Sequence, residues 1–179
     1  MKVYHYIETE NLREILANGL KPSTIDPAIL PRDGRKYVVR SLYGANYITR
    51  TNPEFFREEL SRFLNIELRH PFLFTCALLE PSPKGWLELG LMSKLMNQRF
   101  FARHKTPTLL EIELSRTDSV FVRDAAINFA EKGNGSWEEY LNSNIPLEEY
   151  TGGFIAPEIW IPTPISQKLI REIPIPNSL

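Results

Sequence analysis

The first residues of the chain alternate between two faces. In KVYHYI at residues 2–7, Val3, His5 and Ile7 share one face and two tyrosines share the other, which is typical of a strand. An imidazole at the centre of an apolar face is either a hydrogen-bonded core residue or a group that serves a ligand. The pattern alone leaves both interpretations of His5 open.

Two segments have the spacing of amphipathic helices. In the first, Thr9 is the predicted N-cap, apolar residues follow at helical spacing, and Gly19 predicts a left-handed end. In the second, Asn52 is the predicted N-cap and Pro53 takes the first helical position, where its missing N–H costs nothing. Both helices are expected to bury one apolar stripe.

The rest of the pattern predicts mostly strands with short helices. In chain order these are a strand near 37–42, a strand over Asn46–Thr49, a buried strand in 71–80, a helix from Trp86 to about Met96, strands over 108–114 and 119–124, a short helix over Ala125–Glu131 capped by Asp124, a brief helix with a Ser136–Glu139 capping box, and strands in PEIWIPTPI and IREIPI. The strands over 108–114 and 119–124 are predicted to pair across a polar turn. Prolines in the last segments suit strand ends or edge strands. We therefore predict an α+β fold with a mixed or antiparallel sheet.

The composition is that of one globular domain over residues 1–179. Hydrophobic residues make up 42% of the chain, and 21 Lys and Arg residues nearly balance 22 Asp and Glu residues, which gives a net charge of −1. A protein that depends on bulk attraction to nucleic acid is normally more basic. Any contact with nucleic acid is therefore expected to be local.

The cysteine content and the hydropathy of the sequence indicate the cellular compartment. Cys76 is the single cysteine and lies in an apolar run, which favours a buried inert thiol over a nucleophile. We expect no metal site, because the histidines and the cysteine are not closely paired. The sequence has no signal-peptide core and no run of the roughly 20 apolar residues that span a bilayer, so we expect a cytoplasmic protein with no membrane contact.

The common catalytic motifs are missing from the sequence: it has no phosphate-binding glycine loop, no nucleophile elbow and no His-Glu-x-x-His. The remaining candidates are His5, Arg50 and Glu158. In an extended EIWIP, Glu158 and Trp160 face away from two isoleucines that point to the core. By alternation alone, Glu158 is either a solvated edge-strand residue or part of a functional surface, and Arg50 is an ordinary loop cation.

Three segments, taken in order, resemble the ADP-ribosyltransferase-fold family. VYHYIETENLREILANGL resembles its first strand and helix, ANYITRTNPEFF its second block, and APEIWIPTPISQKLIREIPI its terminal block, in which a glutamate opens an apolar strand. The similarity is closest to the DarT-type toxins that modify DNA and more distant to RNA 2′-phosphotransferases. The segment 71–150 is not part of it.

The resemblance implies two small packed mixed or antiparallel sheets with flanking helices around a cleft for NAD, which would be a substrate. His5 would bind the adenosine ribose, and Arg50 would hold the pyrophosphate or nicotinamide side. Glu158 would stabilise the positive charge that develops on the ribose. The further residues implied at the cofactor are Tyr47 or Tyr43 as a stacking ring, Thr49 beside Arg50, and Trp160 as a pocket wall or a packing residue.

A basic and aromatic segment, MSKLMNQRFFARHK, is the candidate contact for a macromolecular acceptor. Cations beside phenylalanines are typical of surfaces that bind single-stranded nucleic acid, and the other interpretation is the end of an ordinary amphipathic helix. The residues concerned are Lys94, Arg99, Phe100, Phe101 and Arg103. A protein or small-molecule acceptor stays open.

The resemblance thus implies an NAD-dependent ADP-ribosyltransferase, in one form a toxin restrained by an antitoxin partner. Two alternatives stay open: an NAD-dependent RNA 2′-phosphotransferase, and an inactive member of the fold that binds a nucleotide or a protein without turnover. Ile7 favours the inactive member, because DarT-like proteins usually have a small hydroxyl residue at this place. Pro157 is a second departure, since it separates the alanine from Glu158.

Overall fold

Nine strands and four short α-helices form the described part of the chain. The computed structural model describes residues 1–21, 37–40, 46–49, 75–114, 120–129, 143–161 and 163–177. The strands are β1 (Lys2–Glu8), β2 (Tyr37–Arg40), β3 (Asn46–Thr49), β4 (Thr75–Ala77), β5 (Pro107–Glu113), β6 (Phe121–Asp124), β7 (Ile145–Pro146), β8 (Pro157–Ile161) and β9 (Ile170–Ile173). The α-helices are α1 (Leu12–Asn18), α2 (Lys84–Glu88), α3 (Leu91–Leu95) and α4 (Ala126–Phe129).

Every described strand pair is antiparallel, and the fold is α+β, as predicted. One sheet has the order β1-β5-β9, a second has the order β4-β8-β6-β7, and β2 pairs with β3. The predicted pairing of β5 with β6 is wrong. Both edges of β5 are occupied by β1 and β9, so β6 joins the second sheet between β7 and β8.

The two larger sheets meet at one bridge among the described residues. The Tyr4 N–H donates to the Leu78 carbonyl at 2.9 Å, and the Leu78 N–H donates to the Tyr4 carbonyl at 2.7 Å. Leu78 directly follows β4, whose last residue, Ala77, pairs with Ile159 on β8. The bridge therefore connects the first strand of the chain to the sheet that contains β8.

Among the described residues, two apolar clusters form the core on opposite faces of these sheets. The helix-side cluster packs one face against α2, α3 and the turn after them, and its buried members are Tyr6, Leu78, Trp86, Leu91, Met92, Leu95, Met96, Phe100, Leu109, Phe121, Ala125, Ala156 and Trp160. The α1-side cluster packs the other face, and its buried members are Val3, Ile7, Leu20, Ala77, Leu110, Ile112, Leu114, Val120, Val122, Leu147, Ile159, Ile161, Ile165 and Ile170. Alternation along β1 and β8 supplies residues to both clusters.

Helix α1 follows β1 as predicted, but it begins differently. A 3-10 turn over Thr9–Asn11 precedes it, and the Thr9 hydroxyl donates to the Thr106 carbonyl at 2.9 Å instead of capping the helix. The helix ends at Gly19, with φ 80°, whose N–H donates to the Ile15 carbonyl at 2.8 Å. A Cβ at Gly19 would lie 2.3 Å from the Ile165 carbonyl oxygen, so this position needs glycine for space as well as for φ.

The predicted helix over 86–96 is interrupted. Helix α2 ends before Gly90, whose left-handed φ of 67° starts α3, and a π-helical turn over Met96–Phe100 follows. A glycine without a Cβ adopts this conformation at little cost, and it redirects the chain between the two short helices. Helix α4 follows β6 as predicted, with the Ala126 N–H donating to the Asp124 carboxylate at 3.0 Å.

Several predicted elements lie outside the described residues. These are the helix from Pro53 and the helix with the Ser136–Glu139 capping box. Cys76 lies in β4 opposite Trp160, and the structure describes it by its backbone alone. No helix in the described ranges is both long enough and apolar enough to cross a membrane.

Ionisation of the buried Tyr6 should make the stability of the protein depend on pH in the alkaline range. The Tyr6 hydroxyl donates to the Pro81 carbonyl at 2.9 Å, and burial raises its pKa from 10.0 to about 12. Between pH 10.0 and about 12 the unfolded chain loses this proton and the folded chain keeps it. The free energy of unfolding should therefore fall as pH rises through this range.

Tyr6→Phe should remove that fall. Because the pKa of Tyr6 is raised from 10.0 to about 12, the free energy of unfolding of the wild type should fall by about 2 kcal/mol more than that of the variant between pH 10 and 12. Urea unfolding of both proteins at several pH values measures the difference, and the titration of other groups cancels in the comparison. Parallel pH profiles for the two proteins would contradict the assignment.

Candidate functional site

Glu158 lies in the middle of the four-stranded sheet. It is the second residue of β8, which has β4 on one side and β6 on the other. Its side chain is 0% exposed. The structure therefore excludes the solvated edge-strand interpretation. Ile159 and Ile161 point into the α1-side cluster and Trp160 into the helix-side cluster, which confirms the predicted alternation.

A buried arginine stands directly opposite Glu158. Arg123 on β6 is its cross-strand partner, and its side chain is also 0% exposed. The guanidinium carbon lies 3.9 Å from the centre of the Trp160 ring, and Nη2 donates to Asn144 Oδ1 at 2.9 Å. A carboxylate, a guanidinium and an indole thus share one buried surface of the sheet.

Hydrogen bonds fix the chain that leads into Glu158. The carboxylate of Asp124 accepts the Ala156 N–H at 2.9 Å and the Ile155 N–H at 3.1 Å. The Trp86 indole N–H donates to the Pro157 carbonyl at 3.1 Å. Pro157 is the first residue of its strand, where a missing N–H is tolerated. These bonds hold the three residues before Glu158 from two sides.

His5 contributes to a cavity of about 240 Å³ beside α1. The His5 side chain is 4% exposed, on the face that Val3 and Ile7 share. The lining residues are His5, Ile7, Asn11, Glu14, Ile15, Asn18, Gly19, Leu20, Lys21 and Arg99. Amide, carboxylate, imidazole and cationic groups therefore surround one hollow. Such a mixture of polar groups with an apolar floor is typical of sites that bind polar small molecules.

Arg99 reaches this cavity from a different part of the chain. It lies in the π-helical turn over Met96–Phe100, and its guanidinium carbon is 5.4 Å from the centre of the Phe100 ring. Turns of π-helix are frequent at functional sites, because the extra residue redirects the side chains around it. The sequence pattern predicted Arg99 at an acceptor surface, and the structure places it in the lining of the cavity that His5 also lines.

The other residues of the predicted acceptor surface divide into exposed and buried members. Lys94 and Arg103 are exposed, and Phe101 is 57% exposed. Phe100 is 0% exposed and belongs to the helix-side cluster. It therefore offers no ring face to a base, because its burial stabilises the core instead.

The strands of His5 and Glu158 are close, but their side chains lie on different faces. The register that pairs Ala77 with Ile159 places Leu78 beside Glu158, and Leu78 bridges Tyr4. With strands about 4.8 Å apart, Glu158 is about 10 Å from the backbone of β1. His5 shares its face with the α1-side cluster, whereas Glu158 shares its face with Trp160 of the helix-side cluster. Glu158 is not among the described residues that line the His5 cavity.

The remaining predicted site residues are described in part. Arg50 and Tyr43 lie outside the described residues. Tyr47 and Thr49 lie in β3, opposite Val39 and Tyr37, and the structure describes them by backbone alone. Trp160 is 1% exposed, and its ring lies against the guanidinium of Arg123. No group of three potential metal ligands occurs in the part of the chain that the structure describes.

Sequence reasoning missed Arg123 as a site residue. Its signal was present, because Arg123 alternates with Val122 and shares the strand face of Phe121. A charged residue on a strand face that is otherwise apolar requires a partner if the face is buried. Pattern alone did not show that β6 runs beside β8, and only that pairing brings Arg123 to Glu158.

Comparison with protein-family models, with curated proteins and with solved structures finds no match to this chain.

Proposed function

We propose that this protein is an NAD-dependent ADP-ribosyltransferase with an ADP-ribosyltransferase-like fold, and that it transfers ADP-ribose to a macromolecular acceptor. The observation that carries the proposal is the position of Glu158. It is the second residue of a central strand, hydrogen bonds fix the residues that precede it, and its strand is joined through Leu78 to the strand of His5. The sequence resemblance of these two segments supports the same assignment.

The reaction breaks the bond between nicotinamide and the ribose of NAD. The bonding electron pair leaves with nicotinamide, whose ring becomes neutral, and positive charge develops on the sugar. A fixed carboxylate stabilises that charge more in the transition state than in the ground state. The acceptor nucleophile then bonds to the ribose carbon, and its proton passes to the carboxylate of Glu158. Glu158 is 0% exposed, so this mechanism requires NAD binding to open its side of the sheet.

His5 and Arg99 are the groups we assign to NAD binding. An imidazole nitrogen is suited to a ribose hydroxyl, and a permanently charged forked donor is suited to a pyrophosphate. Both line the cavity beside α1. Arg50 keeps the role that the resemblance implies, on the pyrophosphate or nicotinamide side.

A second candidate function is nucleotide binding without turnover. It is favoured by one observation: Glu158 is 0% exposed and does not line the described cavity that contains His5. In that case the cavity would hold a nucleotide, and the carboxylate would serve the sheet alone.

One experiment separates the two candidates. The full chain is incubated with NAD labelled in the adenine ring, in the presence of single-stranded DNA, RNA or a cell lysate, and both nicotinamide release and label transfer are measured. Release with transfer supports the transferase. NAD binding by calorimetry without release supports the binding protein, and the absence of NAD binding contradicts both.

Arg99→Met should weaken NAD binding. A hydrogen bond to a charged group contributes about 1.5–3 kcal/mol, so the Kd should rise about 10- to 100-fold. Arg103→Met is the matched control, because Arg103 is an exposed arginine outside the cavity lining, and its Kd should equal that of the wild type. Equal Kd values for Arg99→Met and the wild type would remove Arg99 from the site.

A further inference from the structure

Arg123 and Glu158 form a pair with opposite formal charges inside the sheet. They are direct partners in the antiparallel ladder of β6 and β8, where facing Cβ atoms lie about 4.5–5.5 Å apart. Both side chains are 0% exposed. An isolated buried charge is very costly, and proteins bury charges almost always as hydrogen-bonded pairs.

We propose that Arg123 is the positioning residue of Glu158: its buried guanidinium keeps the carboxylate ionised and directs it. The inference rests on the proposed function, in which Glu158 faces the developing charge on ribose. Arg123 does not itself contact NAD in this assignment. It acts through Glu158 alone.

The guanidinium is itself held in place. Trp160 stacks under it at 3.9 Å, and Asn144 accepts from Nη2 at 2.9 Å. Cation–π contact is strongest when the cation is desolvated, as it is here. Two groups therefore fix the guanidinium plane on the strand that pairs with β8.

Glu158 faces the cation Arg123 across the ladder of β6 and β8. Its neighbours across the strands are Arg123 and Leu78, and the helix-side cluster above them is apolar apart from Tyr6. The pKa of Tyr6 is about 12, so Tyr6 stays neutral near pH 7. Asp124, the next residue of β6, accepts backbone N–H groups instead.

Ionisation matters because both steps of the reaction need the carboxylate form. A protonated Glu158 would neither stabilise the cationic ribose nor accept the proton of the nucleophile. A carboxyl group in apolar surroundings retains its proton unless an opposite charge lies within about 4–6 Å. Removal of Arg123 should therefore move the acid limb of the rate profile to higher pH, by about 1–3 pH units.

The first test measures the pairing without any enzyme assay. Urea midpoints are compared for the wild type, Arg123→Met, Glu158→Gln and the double variant. If the two groups are paired, each single variant leaves one buried polar group without its partner. The free energy of unfolding of the double variant should then fall by much less than the sum of the decreases in the two single variants. Additive losses would overturn the pairing. The control is the same double-mutant cycle with Arg171→Met and Glu111→Gln, since Arg171 and Glu111 form a more exposed ion pair between β5 and β9.

The second test measures nicotinamide release as a function of pH for Arg123→Met and Arg123→Lys. Arg123→Met should lower kcat at neutral pH by about 10²-fold with little change in the KM for NAD, and Arg123→Lys should recover much of it because it keeps a cation. Equal losses in both variants at every pH would indicate a structural role and overturn the inference. If the wild type released no nicotinamide, the proposed function and this catalytic role would both fail, whereas the urea cycle would still decide the pairing.

Discussion

Glu158→Gln is expected to lower the rate of nicotinamide release from NAD by about 10²- to 10³-fold or more. The amide has the shape of the carboxylate but carries no charge, so it neither stabilises the cationic ribose nor accepts a proton. NAD binding should persist, because Glu158 does not line the described cavity that contains His5 and Arg99. Steady-state kinetics and calorimetry on the same preparation measure both quantities.

Glu111→Gln is the matched control for this prediction. Glu111 is another buried glutamate, 8% exposed, and its carboxylate accepts from Arg171 Nε at 2.8 Å and lies 3.1 Å from Lys2 Nζ. It lies on β5 opposite Tyr4, in the sheet that does not contain Glu158. Its loss should reduce stability and leave kcat unchanged. Equal rates of nicotinamide release for Glu158→Gln and the wild type would contradict the transferase.

The N-terminal part of the fold could be predicted because its signals are local. Alternation in KVYHYI gives the strand, and a glycine at position 19 ends the helix where φ is 80°. The partner of β5 could not be predicted, since turn residues show that the chain reverses but not which sheet edge the next strand joins. That choice depends on β1 and β9, which are distant in sequence.

The sequence predicted which residues belong to the candidate site better than it predicted how they are arranged. Alternation correctly separated Glu158 and Trp160 from two isoleucines, but it did not show that both residues are buried. The strand face of Trp160 is buried because α2 and α3 pack on it. The polar partner of Glu158 comes from β6, which pairs with β8. For the same reason Arg99, read as a surface cation, was not assigned to the cavity of His5.

Gly85→Ala is expected to destabilise the protein more than any other small substitution in the segment 84–90. A Cβ at Gly85 would lie 1.5 Å from the Ile155 carbonyl oxygen and 2.7 Å from its carbon. Both atoms are backbone, so relief requires a shift of α2 or of the chain that leads into Glu158. Overpacking of this kind costs about 3 kcal/mol, which exceeds the gain of about 1 kcal/mol from the helix propensity of alanine.

The measurement is a thermal melt, followed by the rate of nicotinamide release below the transition. At about 2–4 °C per kcal/mol, a net loss of about 2 kcal/mol should lower the Tm by about 4–8 °C. Gly90→Asn is the control, because Asn tolerates a left-handed φ and no atom lies within 4 Å of the new Cβ. If Gly85→Ala melts like the wild type, α2 does not pack on Ile155. A lowered Tm with a lowered rate, against an unchanged Gly90→Asn, would show that the contact between α2 and Ile155 also holds Glu158, since only two residues separate Ile155 from that carboxylate.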